Sequence, residues 1–298
     1  MRLIRQLHSD SRWTTSAWAL LLAVAATLTA AGSAFGACLQ VPLTVELDEV
    51  SNYSHVKVKR EGSMRTLYFV RDNGEEVIES QVDLKRPDDL RIPYTRNMFL
   101  SYILRPQPKR ALLVGLGGGA MVHFLKIHDP AVKLDVVEID PLIVSVADRF
   151  FGVKSGGNVD VKLCDGLVHL RESDAKYDII YMDAFLRPSG GTDATGAPLH
   201  LKTLAFYEQV KQRLAPAGVV VFNLNPHNSV LQDMSDIRKA FPNTYACKLP
   251  NGAGFVVIAS TAEKPEPADA IEEAATALDE RFKAPFSFRT MARRLKRL

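Results

Sequence analysis

The chain has 298 residues, 47% of them hydrophobic, and a net charge of +3. That is enough apolar material for a sizeable core, in one large domain with a smaller one beside it. Arg2, Arg5 and Arg12 against Asp10 carry +2 of the charge within the first 37 residues, so nothing in the rest calls for nucleic acid as a partner.

Residues 1–37 read as an export segment. A basic start leads into an apolar stretch from Ala17 to Ala31, and small residues follow (Gly32-Ser33-Ala34-Phe35-Gly36-Ala37). Cleavage after Ala34 or Gly36 fits, and so does retention as an anchor, since Trp18 to Ala37 just reaches across a bilayer. Phe35-Gly36-Ala37-Cys38 is also similar to a lipoprotein cleavage box. Arginines before the segment, with Glu46, Asp48 and Glu49 after it, place the main domain on the periplasmic or extracellular face, released or held to the membrane through its N-terminus. Cys164 and Cys247 are too few for a disulfide scaffold and read as buried free thiols.

Residues 38–105 read as a small antiparallel β domain with a gate segment. Val56-Lys57-Val58-Lys59 alternates, and Leu67-Tyr68-Phe69-Val70 runs into the hairpin signal Asp72-Asn73-Gly74 before Val77-Ile78. A polar, proline-punctuated loop over 83–93 ends in Tyr94-Thr95-Arg96-Asn97-Met98, and an apolar helix through Phe99 to Leu104 stops at Pro106. Residues 106–262 repeat strand and helix, which implies a parallel sheet covered on both faces. Its last strand, Gly254 to Ala259, lies beside Val219–Asn223. Residues 263–298 form a helical tail whose basic end reads as a solvated helix face.

The stretch that organises the chain is Leu112 to Ala120. An apolar strand enters Gly115-Leu116-Gly117-Gly118-Gly119, and a helical pattern follows. Such a turn lets a ligand approach the backbone, and the helix start offers it free N–H groups. Glu138 ends the next strand 19 residues after Gly119, close to the spacing of roughly 20 at which dinucleotide folds place a ribose-binding carboxylate. Asp165-Gly166 and Asp183 end two later strands. Asp165 suits an exocyclic amine, or a plain turn and helix cap. Asp183 emerges at the cleft, where a carboxylate can take a proton from a nucleophile. Capping explains one such acid more easily than three.

These motifs, with Val137-Glu138-Ile139-Asp140, Tyr177-Asp178, Phe206-Tyr207 and Leu214-x-Pro216-x-Gly218, resemble the spermidine synthase branch of class I S-adenosylmethionine-dependent transferases. The resemblance implies a seven-stranded Rossmann-like sheet behind the small β domain. It further implies that Glu138 holds the donor ribose, Asp165 the adenine amine, and Asp183 the proton of an attacking amine, with Gln81 and Tyr94 lining the pocket. The implied donor is decarboxylated S-adenosylmethionine, or S-adenosylmethionine itself, and the acceptor a small amine. No metal is implied, and a homodimer is compatible. Gly118 stands where the family carries an acid, Thr95 and Arg96 follow the gate tyrosine in place of histidine and glutamate, and Leu186 replaces a second acid. Three readings stay open: an aminopropyltransferase, a methyltransferase in which Gly118 leaves room for a methionine carboxylate, and a non-catalytic exported nucleoside-binding protein.

Overall fold

Alternating apolar residues open the described part of the chain, residues 42–298 of a computed structural model. The export segment and Cys38 lie outside the described residues. Strands β1 (Leu43–Val50), β2 (His55–Glu61), β3 (Met64–Val70) and β4 (Glu76–Asp83) make an antiparallel sheet in sequential order. Val56, Val58, Leu67 and Val82 point to its buried side, while Lys57 and Lys59 meet Glu76 on the other. The Asp72-Asn73-Gly74 turn closes the hairpin as expected, with the Gly74 N–H donating to the Arg71 carbonyl. β4 carries one irregularity. Leu67 pairs with Ser80 and Tyr68 with Ile78, so Glu79 is a bulge residue without a partner in the ladder.

The expected helix after the gate loop forms as two short pieces, α1 (Pro93–Met98) and α2 (Ser101–Leu104). Pro93 starts α1 where a missing N–H costs nothing. Strand and helix then alternate through β5 (Arg110–Val114), α3 (Ala120–His128), β6 (Lys133–Glu138), α4 (Pro141–Phe151), β7 (Val159–Leu163), α5 (Gly166–Glu172) and β8 (Tyr177–Met182). After a long loop follow α6 (Leu204–Arg213), β9 (Leu214–Leu224), α7 (Val230–Ala240), β10 (Asn243–Lys248), β11 (Phe255–Ser260), α8 (Ala268–Phe282), α9 (Phe288–Ala292) and β12 (Leu295–Arg297). The sheet order is β12-β10-β11-β9-β8-β5-β6-β7. From β9 to β7 all pairings are parallel; β11, β10 and β12 join antiparallel.

Seven strands, β5 to β11, therefore form the expected sheet, and β11 lies against β9 as read. Two elements differ from the sequence reading. β10 begins with the polar pair Asn243-Thr244 and shows little strand patterning, yet it pairs with both β11 and β12. The basic end is not a solvated helix face: Leu295 to Arg297 add an eighth, edge strand, which suits charged residues because only one side of it is paired. Phe282 and Phe288 anchor this C-terminal part in an aromatic cluster with Tyr102 and Phe124. Cys164 and Cys247 are free thiols, Cys247 fully buried. Among the described residues, no helix is long and apolar enough to cross a membrane.

Candidate active site

β5 lies between β6 and β8, so the connections leave it toward opposite directions, and a crevice opens beyond the carboxyl ends of these strands. A cavity of about 820 Å³, counting its open mouth, occupies that place. Gly115, Gly117, Glu138, Asp165, Gly166, Asp183 and Tyr94 all line it. Residues from Gly115 to Asp183, separated by up to 68 positions, are thus gathered by strand ends that share one edge.

Glu138 is 8% exposed, and its carboxylate is already at work within the protein. It accepts from the Leu116 N–H at 2.9 Å and the Asp140 N–H at 2.9 Å, bracing the glycine loop against the next turn. Burial pushes its carboxyl above the ordinary range despite these bonds. Asp165 caps α5, accepting from Leu167 N–H at 2.7 Å and Val168 N–H at 3.4 Å with one oxygen. Its cap role and its place on the cavity wall coexist. Gly119, by contrast, does not line the cavity. It is the residue before α3, packed so closely that a Cβ would fall 2.6 Å from Val153.

Asp183 has the most constructed surroundings. The Tyr94 hydroxyl donates to one carboxylate oxygen at 3.0 Å and the Asn223 amide to the other at 2.9 Å. Burial raises its pKa to about 6, with the two hydrogen bonds opposing the rise. Asn223 ends the apolar run of β9; a polar residue there was the sequence signal for its role.

Gln81 does not line the cavity. Its amide donates across the sheet to Thr66 at 3.2 Å. The bulge at Glu79 is the reason: one extra residue reverses the alternation of faces in β4. Glu79 and Ser80 reach the cavity instead. The Ser80 hydroxyl accepts from the Gly118 N–H at 2.8 Å. A Cβ on Gly118 would fall 2.9 Å from both Ser80 and Phe151. The space beside Gly118 is thus filled by Ser80 and Phe151, and Gly118 is not among the residues lining the cavity, so it lends no support to methyl transfer. Thr95 and Arg96 serve the local fold, donating to the carbonyls of Ile92 and Leu90.

The loop between β8 and α6 covers the cavity with Phe185, Leu186 and Leu201. It is tied to the first sheet by the Arg187 N–H, which donates to the Tyr53 carbonyl at 2.9 Å. Its far end is fixed by Lys202, whose ammonium sits among Asp193 at 2.5 Å, Asp233 at 2.6 Å and His227 at 3.3 Å. These three side chains converge as metal ligands would, and the lysine fills the position between them.

Residues 97–264 match the model of the spermine/spermidine synthase domain. The polyamine aminopropyltransferase of Vibrio vulnificus is 30% identical over 241 residues, covering 79% of this chain and 78% of its own. A spermidine synthase in complex with the transition-state analogue AdoDATO superposes with a TM-score of 0.62 at 18% identity, over 84% of each chain. Human methyltransferase-like protein 13 in complex with SAH gives a TM-score of 0.60 at 25% identity, over 66% of this chain and 95% of that one. With the family model spanning more than half its length, this chain belongs to the spermine/spermidine synthase family and is a transferase of the class I S-adenosylmethionine-dependent fold.

Proposed function

We propose that this chain transfers an aminopropyl group from decarboxylated S-adenosylmethionine to a small amine. The observation that carries this reading is Asp183, a carboxylate held by Tyr94 and Asn223 at the centre of a nucleoside-sized cavity. The likeness to the Vibrio vulnificus aminopropyltransferase over most of both chains supports the same transfer.

The donor's adenosine fits along the strand ends. Glu138 retains lone pairs toward the cavity for ribose hydroxyls, and Asp165 has a second oxygen for the adenine amine. The sulfonium carbon then faces Asp183. The neutral acceptor nitrogen attacks the methylene carbon next to sulfur, and a C–N bond forms. The C–S bond breaks with its electron pair going to sulfur, leaving methylthioadenosine. The proton lost by nitrogen passes to Asp183 and from there to water. A carboxylate near pKa 6 is better matched to this exchange than one at its ordinary value.

Because Glu138 also braces the loop, the ribose contact is best tested from the ligand side. Methylthioadenosine should bind roughly tenfold or more tightly than its 2′,3′-dideoxy analogue, the worth of hydrogen bonds to a charged acceptor. Equal affinities by calorimetry would contradict the assignment of Glu138.

A further inference from the structure

A smaller recess of about 330 Å³, counting the open solvent at its mouth, adjoins the nucleoside cavity, and the two share Ser54, Phe69, Glu79 and Leu186. Phe69 and Leu186 make the junction apolar, yet two polar groups there lack partners. Ser54 is 1% exposed and its hydroxyl has no hydrogen-bond partner. Glu79 is placed by the β4 bulge, and among the described residues nothing donates to its carboxylate. A buried hydroxyl left without a partner is costly unless a ligand completes it, and a half-buried carboxylate beside an apolar wall with no protein donor is free to receive one.

Beyond the junction the chamber is walled by Val70 and Val77 and rimmed by His55, Arg71 and Arg187. Glu79 is the one carboxylate among its lining residues. Asp72 and Glu75 pair with Arg187 and Arg71 from the solvent side and do not line it. The chamber thus offers a carboxyl group at its inner end and cations at its outer end.

We propose that Glu79 and Ser54 form the acceptor subsite, and that the acceptor is an aliphatic amine cationic at one end only, its far end neutral or anionic. The amine lies at the junction facing Asp183, and its chain extends between Phe69 and Leu186 toward Arg71 and Arg187. This rests on the transfer reading above and names its acceptor class. Burial, and then the nearby Asp183, lift the Glu79 carboxyl to about 8. That is the condition of two acids with no cation between them, and an ammonium arriving there reverses it.

The test is calorimetry on protein saturated with methylthioadenosine. 4-Aminobutanoate and n-butylamine should both bind more tightly than 1,4-diaminobutane, whose second ammonium meets no carboxylate among the residues lining the outer end. Glu79→Gln, with methylthioadenosine held saturating, should weaken the monoamines roughly tenfold or more, as expected for loss of a charged acceptor. Ser54→Ala, a smaller change to the fold, should weaken them in the same direction. Tightest binding by the diamine, or amine affinities indifferent to both variants, would overturn the subsite while leaving the donor site standing. Absence of methylthioadenosine binding would overturn both.

Discussion

Asp183→Asn is expected to lower turnover by at least roughly 100-fold while methylthioadenosine still binds. An amine with a solution pKa near 10 is protonated at neutral pH, so it cannot attack until a proton leaves. Asparagine keeps the shape and can still accept from Tyr94, but it takes no proton. The unmodified protein should gain activity as pH rises through about 6, where Asp183 ionises, and the variant should lose that limb of the profile. Stability should move the other way. The folded-state pKa lies above the unfolded value of about 3.8, so Asp183 contributes stability that is full below that value and lost as pH rises through about 6. At pH 7 to 8 the buried charge is therefore a cost, and Asp183→Asn should be more stable by on the order of 2 kcal/mol. An inactive variant with a raised melting temperature separates a lost base from a damaged fold. Near-normal turnover, or a variant less stable than the parent, would contradict the role given to Asp183.

Gly115→Ala is expected to cost roughly 3–5 kcal/mol of stability, the upper range for single substitutions. Gly115 has φ +96°, a conformation that side-chain-bearing residues avoid, and a Cβ there would fall 2.1 Å from the Asp183 carbonyl oxygen. That oxygen is backbone and cannot rotate away. β5 and β8 would have to part at the point where the Asp183 N–H donates to the Val114 carbonyl at 2.9 Å. Gly152→Ala is the control: its φ is +70° but nothing lies within 4 Å of the added carbon, so only the conformational cost of about 1 kcal/mol applies. Urea denaturation of the two variants measures the difference. A Gly115→Ala protein as stable as Gly152→Ala would show that the loop and β8 are not locked together.

The glycine loop and the three strand-end acids were legible because each depends on local pattern. An apolar run followed by an acid places that acid at a strand end whatever its neighbours are, and parallel strands bring such ends to one edge. The amine side of the site was not legible in the same way. Glu79 and Gln81 look alike in an alternating hairpin strand, and only the pairing of Leu67 with Ser80 and Tyr68 with Ile78 decides which faces the cavity. A bulge is a property of two strands and leaves little mark on one. Gly118 likewise looked like open space, because the side chains that fill it, Ser80 and Phe151, are distant in sequence. β10 was missed because its place comes from pairing with β11 and β12, which outweighs the weak strand preference of Asn243, Ala246 and Lys248.

The most direct measurement is product analysis by mass spectrometry after incubating the purified protein with decarboxylated S-adenosylmethionine and a monoamine. Methylthioadenosine and an aminopropylated amine should appear in equal amounts, and neither should form with Asp183→Asn beyond roughly one-hundredth of the parent rate. No methylthioadenosine with any amine, or a methylated acceptor and S-adenosylhomocysteine formed from intact S-adenosylmethionine instead, would contradict aminopropyl transfer by this site.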